Sequence, residues 1–148
     1  QMRKASVFLL LAFFLYSCNS GVDTHALKNE VLDIHDEVMP KMGELMSLRK
    51  KVMSKSQELA SGANFDQAEV NSLDSLATAL AAANKGMMTW MNEWSDNASN
   101  FLDRDDQPVM GVTEEAAVKF LNNEMQRITV VNENFNATIK AAKAVLNK

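Results

Sequence analysis

From Thr24 onward, apolar residues recur at steps of three and four. Leu27, Val31, Ile34, Val38, Leu45, Leu48, Val52 and Leu59 form one stripe through residues 24–61, the spacing of a helix that buries one face. A second stripe, Leu32, His35, Met39, Met42, Met46 and Met53, runs beside it, so this helix is expected to have two neighbours. Ser61-Gly62-Ala63-Asn64-Phe65 supplies a turn. Asp66 can then cap a second helix, with Glu69 three residues on completing a capping-box-like pattern. The second helix carries Leu73, Leu76, Leu80, Ala83, Met87, Trp90, Trp94 and Phe101. LDRDDQPVMGV, residues 102–112, is the longest loop. Thr113 caps a third helix, and Glu114 and Glu115 favour its positive dipole end. Its seam is Val118, Leu121, Met125, Ile128, Asn132, Phe135, Ile139, Ala142 and Leu146. Three helices of about 35 residues, each about 50 Å long, joined by short loops predict an all-α fold, an up-down-up antiparallel three-helix bundle spanning residues 24–148. Asn132 either sets the register or faces a wet edge.

The N-terminus has a different pattern. Arg3 and Lys4 precede a largely apolar run from Ala5 to Leu15, too short to span a bilayer but suited to a signal peptide. Leu15-Tyr16-Ser17-Cys18 resembles a bacterial lipobox. The resemblance implies cleavage of residues 1–17, a diacylglycerol on the Cys18 sulfur, and residues 18–23 as a tether; the competing reading is a plain secretory signal with a chance cysteine. Cys18 is the only cysteine, so it cannot form an intramolecular disulfide, and acylation would explain an exported lone thiol. Two or three acyl chains anchor stably where one does not.

Cleavage would remove two of the 15 basic side chains, Arg3 and Lys4, and none of the 19 acidic ones, leaving 13 basic and a net charge of −6. An acidic chain without a basic cluster is a poor nucleic-acid binder. Five glycines and two prolines, Pro40 and Pro108, agree with helices.

IHDEVMPKMGELM, residues 34–46, places His35 and three methionines around a proline. Pro40 removes a helical hydrogen bond and frees the Asp36 carbonyl, so a kink is expected beside His35. If the first turn centres near residue 64, His35 faces Glu93, with Trp94 nearby, and Met39 and Met42 come level with Met88 and Met91. If the second loop centres near residue 107, Met88 faces Gln126 and Met125 joins the layer. His35, Met39, Met42, Met88, Met91 and Met125 then meet at one level. Thioethers are soft, neutral ligands suited to Cu(I) or Ag(I), and imidazole is compatible with them. Methionine equally fills gaps in a core and packs on tryptophan, and the kink could also hold open an apolar pocket. On the packing reading no cofactor is needed; on the metal reading the cofactor is copper(I).

Catalytic constellations are not evident. His35-Asp36-Glu37 are sequence neighbours that diverge on a helix. His25 and His35 do not make an HExxH pair, ordinary zinc ligands are lacking, and LDRDDQ has no EF-hand spacing and reads as a solvated loop. A non-enzymatic protein is expected.

HDEVMPKMGELMSLRKK and ANKGMMTWMNEW, with NNEMQRI and KAAKAVL in the third helix, resemble segments of small Bacteroidota lipoproteins often labelled "viral A-type inclusion protein". The resemblance covers most of the chain after Leu32. It implies an envelope location and a helical architecture and carries no catalytic residues. The expectation is a membrane-anchored envelope lipoprotein, a helical binding or structural module held to the bilayer by Cys18 and facing the periplasm from the outer membrane, with an unknown protein partner or a second copy of itself. The alternative is a periplasmic Cu(I)/Ag(I)-binding protein.

Overall fold

The computed structural model describes residues 21–64 and 66–147; Cys18 and the expected signal peptide lie outside the described residues. Four α-helices account for most of the chain: α1 (Thr24–Val38), α2 (Lys41–Ala60), α3 (Gln67–Asn97) and α4 (Glu114–Leu146). α1 and α2 are the two halves of the first expected helix. Met39 and Pro40 between them keep right-handed helical dihedrals, φ −51° and −63°, so the helix bends without unravelling. Pro40 has no N–H to donate, and the Met42 N–H closes a tighter turn on the Met39 carbonyl at 3.2 Å. The bend sends α1 along α4, while α2 lies against both α3 and α4. The architecture is an all-α, up-down-up bundle with its first helix kinked.

The helix starts follow their capping residues. Asp66 accepts from the Ala68 N–H at 2.8 Å and Thr113 from the Ala116 N–H at 3.1 Å, each satisfying a donor that the first helical turn leaves open. Asp23 does the same for α1 through the Ala26 N–H. The second helix ends earlier than its apolar stripe suggests. α3 stops at Asn97, a single 3-10 turn follows (Ala98–Asn100), and Phe101 belongs to the loop.

One core runs along the bundle, with Val31, Val38, Leu45, Val52, Leu80, Met87, Trp90, Ile128 and Phe135 buried. The expected seams supply these positions, except that α4 buries Glu124 and Val131 while Met125 and Asn132 lie at its edge. Asn132 is the wet-edge case: its Oδ1 accepts from Lys41 Nζ and from Asn136 Nδ2. A smaller apolar cluster, Leu102, Ala117 and Leu121 with Leu27, Trp94, Phe101, Val112 and Phe120 around them, closes the end where α1 begins.

Register between helices differs in part from the expected one. The Ser56 hydroxyl donates to Asp74 Oδ1 at 2.6 Å, within two residues of the expected α2–α3 pairing. Between α3 and α4, a Cβ on Gly86 would meet Val131 Cγ2 at 4.0 Å, and Glu93 pairs with Arg127, about one helical turn further along α4 than the pairing of Met88 with Gln126. The first turns of α4 reach past the end of α3 and pack on the loop residues beyond it, with Phe101 and Phe120 stacked at 4.4 Å. The long loop is therefore not a symmetric hinge.

Candidate functional site

Five rings form a ladder from α1 to the loop. His35 leans on Trp90 with centroids 5.7 Å apart, Trp90 stacks on Trp94 at 5.4 Å, Trp94 on Phe120 at 5.9 Å, and Phe120 on Phe101. These rings fill the space that the kink opens between α1 and α3. His35 does not lie opposite Glu93 beside Trp94, as its position in the chain suggests. Its ring rests instead on Trp90, its Nδ1 pairs with Asp36 Oδ1 at 2.8 Å, and Glu93 is taken by Arg127.

Trp90 is 2% exposed. Its indole N–H and Glu124 Oε2 are buried, and neither makes a full hydrogen bond among the described residues. Glu124 Oε1 accepts from Arg127 Nη1 at 2.8 Å. Burial pushes the Glu124 carboxyl above its ordinary range, and the neighbouring Trp90 N–H offsets this in part. Gly86, Trp90, Gln126, Arg127, Val130 and Val131 line a shallow groove of about 440 Å³ over this cluster.

The methionines divide between two faces. Counting 100° per residue from the α3-facing Ser56, Met42, Met53 and Met46 lie about 40–80° to one side, while Lys41, Lys55 and Glu44 lie about 60–120° to the other. That second group bonds to α4: Lys41 to Asn136, Lys55 to the Val145 carbonyl and Glu44 to Lys143. The methionine edge of α2 therefore borders the outer α2–α3 seam. The Ser56–Asp74 pairing brings Met42 level with Met88 and Met39 level with Met91 along this seam. Met39, Met46 and Met88 are 39%, 40% and 44% exposed, and Met42, Met53 and Met91 pack partly buried on the core. His35 precedes Met39 by one turn. Met125 does not join them. It shares a stripe of α4 with Asn132 and Asn136, both bonded to Lys41, on the far side of the core from Met88. Met87, a seam position by its spacing, is fully buried.

Lys50, Lys51, Lys55 and Lys143 line a groove of about 910 Å³ between α2 and α4, together with Glu44 and Glu58. Against the expectation of no basic cluster, Lys50, Lys51 and Lys55 are close together in the sequence itself, and only Lys143 comes from far along the chain. Lys55 Nζ donates to the Val145 carbonyl in the last turn of α4, where a cation offsets the helix dipole.

Asp106 is the exception in a loop whose other polar residues, Asp103, Arg104, Asp105 and Gln107, are exposed as expected. It is 7% exposed and holds a left-handed conformation, φ +61°. Its carbonyl accepts from the Thr24 hydroxyl at 2.6 Å, and its carboxylate binds His25 Nδ1 at 2.6 Å and Lys28 Nζ. The loop is thereby clasped to the first turns of α1. Burial pushes the Asp106 carboxyl up, but the hydrogen bonds and charges of Lys28 and His25 together outweigh it and hold the group below its ordinary range. Asp103 organises the rest, accepting from the Asp105 and Gln107 N–H groups. The signal available in the sequence was the cluster of three aspartates in LDRDDQ, a composition suited to Asx turns.

The chain matches no protein family, no curated protein and no solved structure. Among the described residues, no three His, Cys, Asp or Glu side chains gather into a metal-ligating group, and no helix is long and apolar enough to cross a membrane.

Proposed function

We propose that this protein is a non-enzymatic lipoprotein of the cell envelope, anchored through an acylated Cys18, whose kinked bundle engages a protein partner along the α2–α3 seam. The lipobox-like LYSC segment supports the anchor, and Asn19-Ser20-Gly21-Val22 after the cysteine lacks an acidic run resembling a surface-export signal, which favours the periplasmic face of the outer membrane. The observation that carries the binding role is the seam itself. Met39, Met46 and Met88 stand well exposed on a face where a lone bundle would gain from polar residues, and flexible thioether side chains adapt to a partner's surface.

A second reading, a Cu(I)/Ag(I) site, is favoured by one feature: thioethers come level across the seam, Met42 with Met88 and Met39 with Met91, one turn from His35, whose Nε2 would be the ligating nitrogen. The two readings separate in the full chain in detergent, titrated with Cu(I) against a competing chelator beside a Met39→Leu/Met88→Leu variant. Leucine keeps the apolar surface and removes the sulfurs. The partner reading predicts the same weak Cu(I) uptake in both proteins. Tight one-to-one binding that the variant loses, with its fold retained, would replace the partner by the metal.

A further inference from the structure

We infer that the tip of the long loop, Val109-Met110-Gly111-Val112, is a second membrane contact that dips into the lipid surface beside the acyl anchor. The inference rests on Cys18 being the acylated residue.

Met110 is fully exposed, at 102% of its reference surface, and is the most exposed large hydrophobic side chain among the described residues. A tight turn places it there. The Val112 N–H donates to the Val109 carbonyl at 3.0 Å, and Gly111 has φ +87° while Met110 does not have a positive φ. This is the type II pattern, with glycine at the third position and Met110 at the apex. Beneath the turn, Leu102 and Pro108 pair as an antiparallel bridge, the Val109 N–H donates to the Phe101 carbonyl at 3.1 Å, and the Asp106 clasp ties the loop to α1. These contacts close residues 103–107 into a braced hairpin, and the 109–112 turn follows it, leaving Met110 in solvent between the hairpin and the start of α4. Turns in water favour Gly, Pro, Asn, Asp and Ser, so a fully exposed methionine at the second position of this one departs from the usual turn chemistry.

This end of the bundle is also where the anchor would enter. Gly21 lies against Glu114, since a Cβ there would meet Glu114 Oε1 at 2.7 Å, and Glu114 follows the tip closely in the chain. Cys18 is three residues before Gly21, a reach of about 10 Å when extended. Val22, 53% exposed, adds an apolar side chain at the same end. Asp103, Asp105, Asp106, Glu114 and Glu115 lie within seven residues of Met110 in the chain, against Arg104 as the one basic residue in that span. That acidic excess fits a zwitterionic lipid surface and would be repelled by an anionic one.

The test uses the full acylated chain in phosphatidylcholine vesicles containing a shallow spin-labelled lipid. Cys18 is blocked by its acyl group, so Met110→Cys supplies one free thiol for an environment-sensitive fluorophore, and Gly62→Cys, in the turn at the other end of the bundle, is the control. The expected result is a blue-shifted probe at position 110 that loses most of its emission to the spin label, with position 62 unquenched and open to aqueous iodide. Vesicles that float with the protein while the position-110 probe stays as iodide-accessible as position 62 would overturn the tip contact alone. A probe shielded from both quenchers would overturn it in favour of a protein contact. Failure to float would overturn the anchor and the tip together.

Discussion

Replacing Trp90 by alanine is expected to cost about 3–5 kcal/mol, the usual range for truncating a buried aromatic residue. Trp90 is the largest fully buried side chain among the described residues; it stacks on Trp94, and the His35 ring leans on it at a tilt. Because the kink at Pro40 separates α1 from α3, these rings form the packing between the two helices, and the cavity cannot close by a small shift of either. The change would also strip Glu124 of its neighbouring N–H. Trp90→Phe keeps a ring in the ladder and should cost clearly less. Urea unfolding of both variants checks this: a large fall in midpoint for alanine, a smaller one for phenylalanine and unchanged slopes are expected. Equal effects would mean that the ladder does not hold α1 in place.

The second large effect is expected at Asp106. Its replacement by alanine should cost about 2–3 kcal/mol, since charge-assisted hydrogen bonds are lost and an alanine is left in a left-handed conformation. Asp106→Gly relieves the backbone but not the lost carboxylate, so the difference between the two variants isolates the strain. The pH dependence has a definite sign. The folded-state carboxyl titrates below its unfolded counterpart, so its contribution is present above the ordinary carboxylate range, near pH 4, and is lost as pH falls through the folded value. Stability of the parent chain should therefore fall on acidification below about pH 5, and the Asp106→Ala variant should show a shallower acid limb. Hydrogen exchange of residues 103–110 gives the local readout, with protection lost in the variant.

Helix order, the break at Pro40 and the Asp66 and Thr113 caps were legible because each rests on short-range chemistry: the three-four periodicity, a proline without an N–H and a capping side chain. The division of the first helix into α1 and α2 at that break, and the Asp23 cap of α1, were not legible. The α2–α3 level was also legible, since a short turn leaves little freedom between the helices it joins. The α3–α4 level was not. The chain after Asn97 spends Ala98–Asn100 on a 3-10 turn and Phe101 on packing, and periodicity does not distinguish such residues from helix. Asp106 is hidden for a related reason. Its partners Thr24, His25 and Lys28 lie about 80 residues away, and only the parallel course of α1 and α4 brings them together. The candidate methionine layer is legible at nearly the right level for Met39, Met42, Met88 and Met91, but Met125 lies on another face. Level follows from loop position alone, whereas face depends on the crossing geometry that places Met125 on the α4 edge toward Lys41.

The anchored-module account is tested most directly by the intact mass of the chain purified from membranes. The expected product is a polypeptide that begins at Cys18 and carries diacylglycerol on the sulfur, with or without a further amide-linked acyl chain. A chain that keeps residues before Cys18, or one with an unmodified Cys18 thiol, would contradict it.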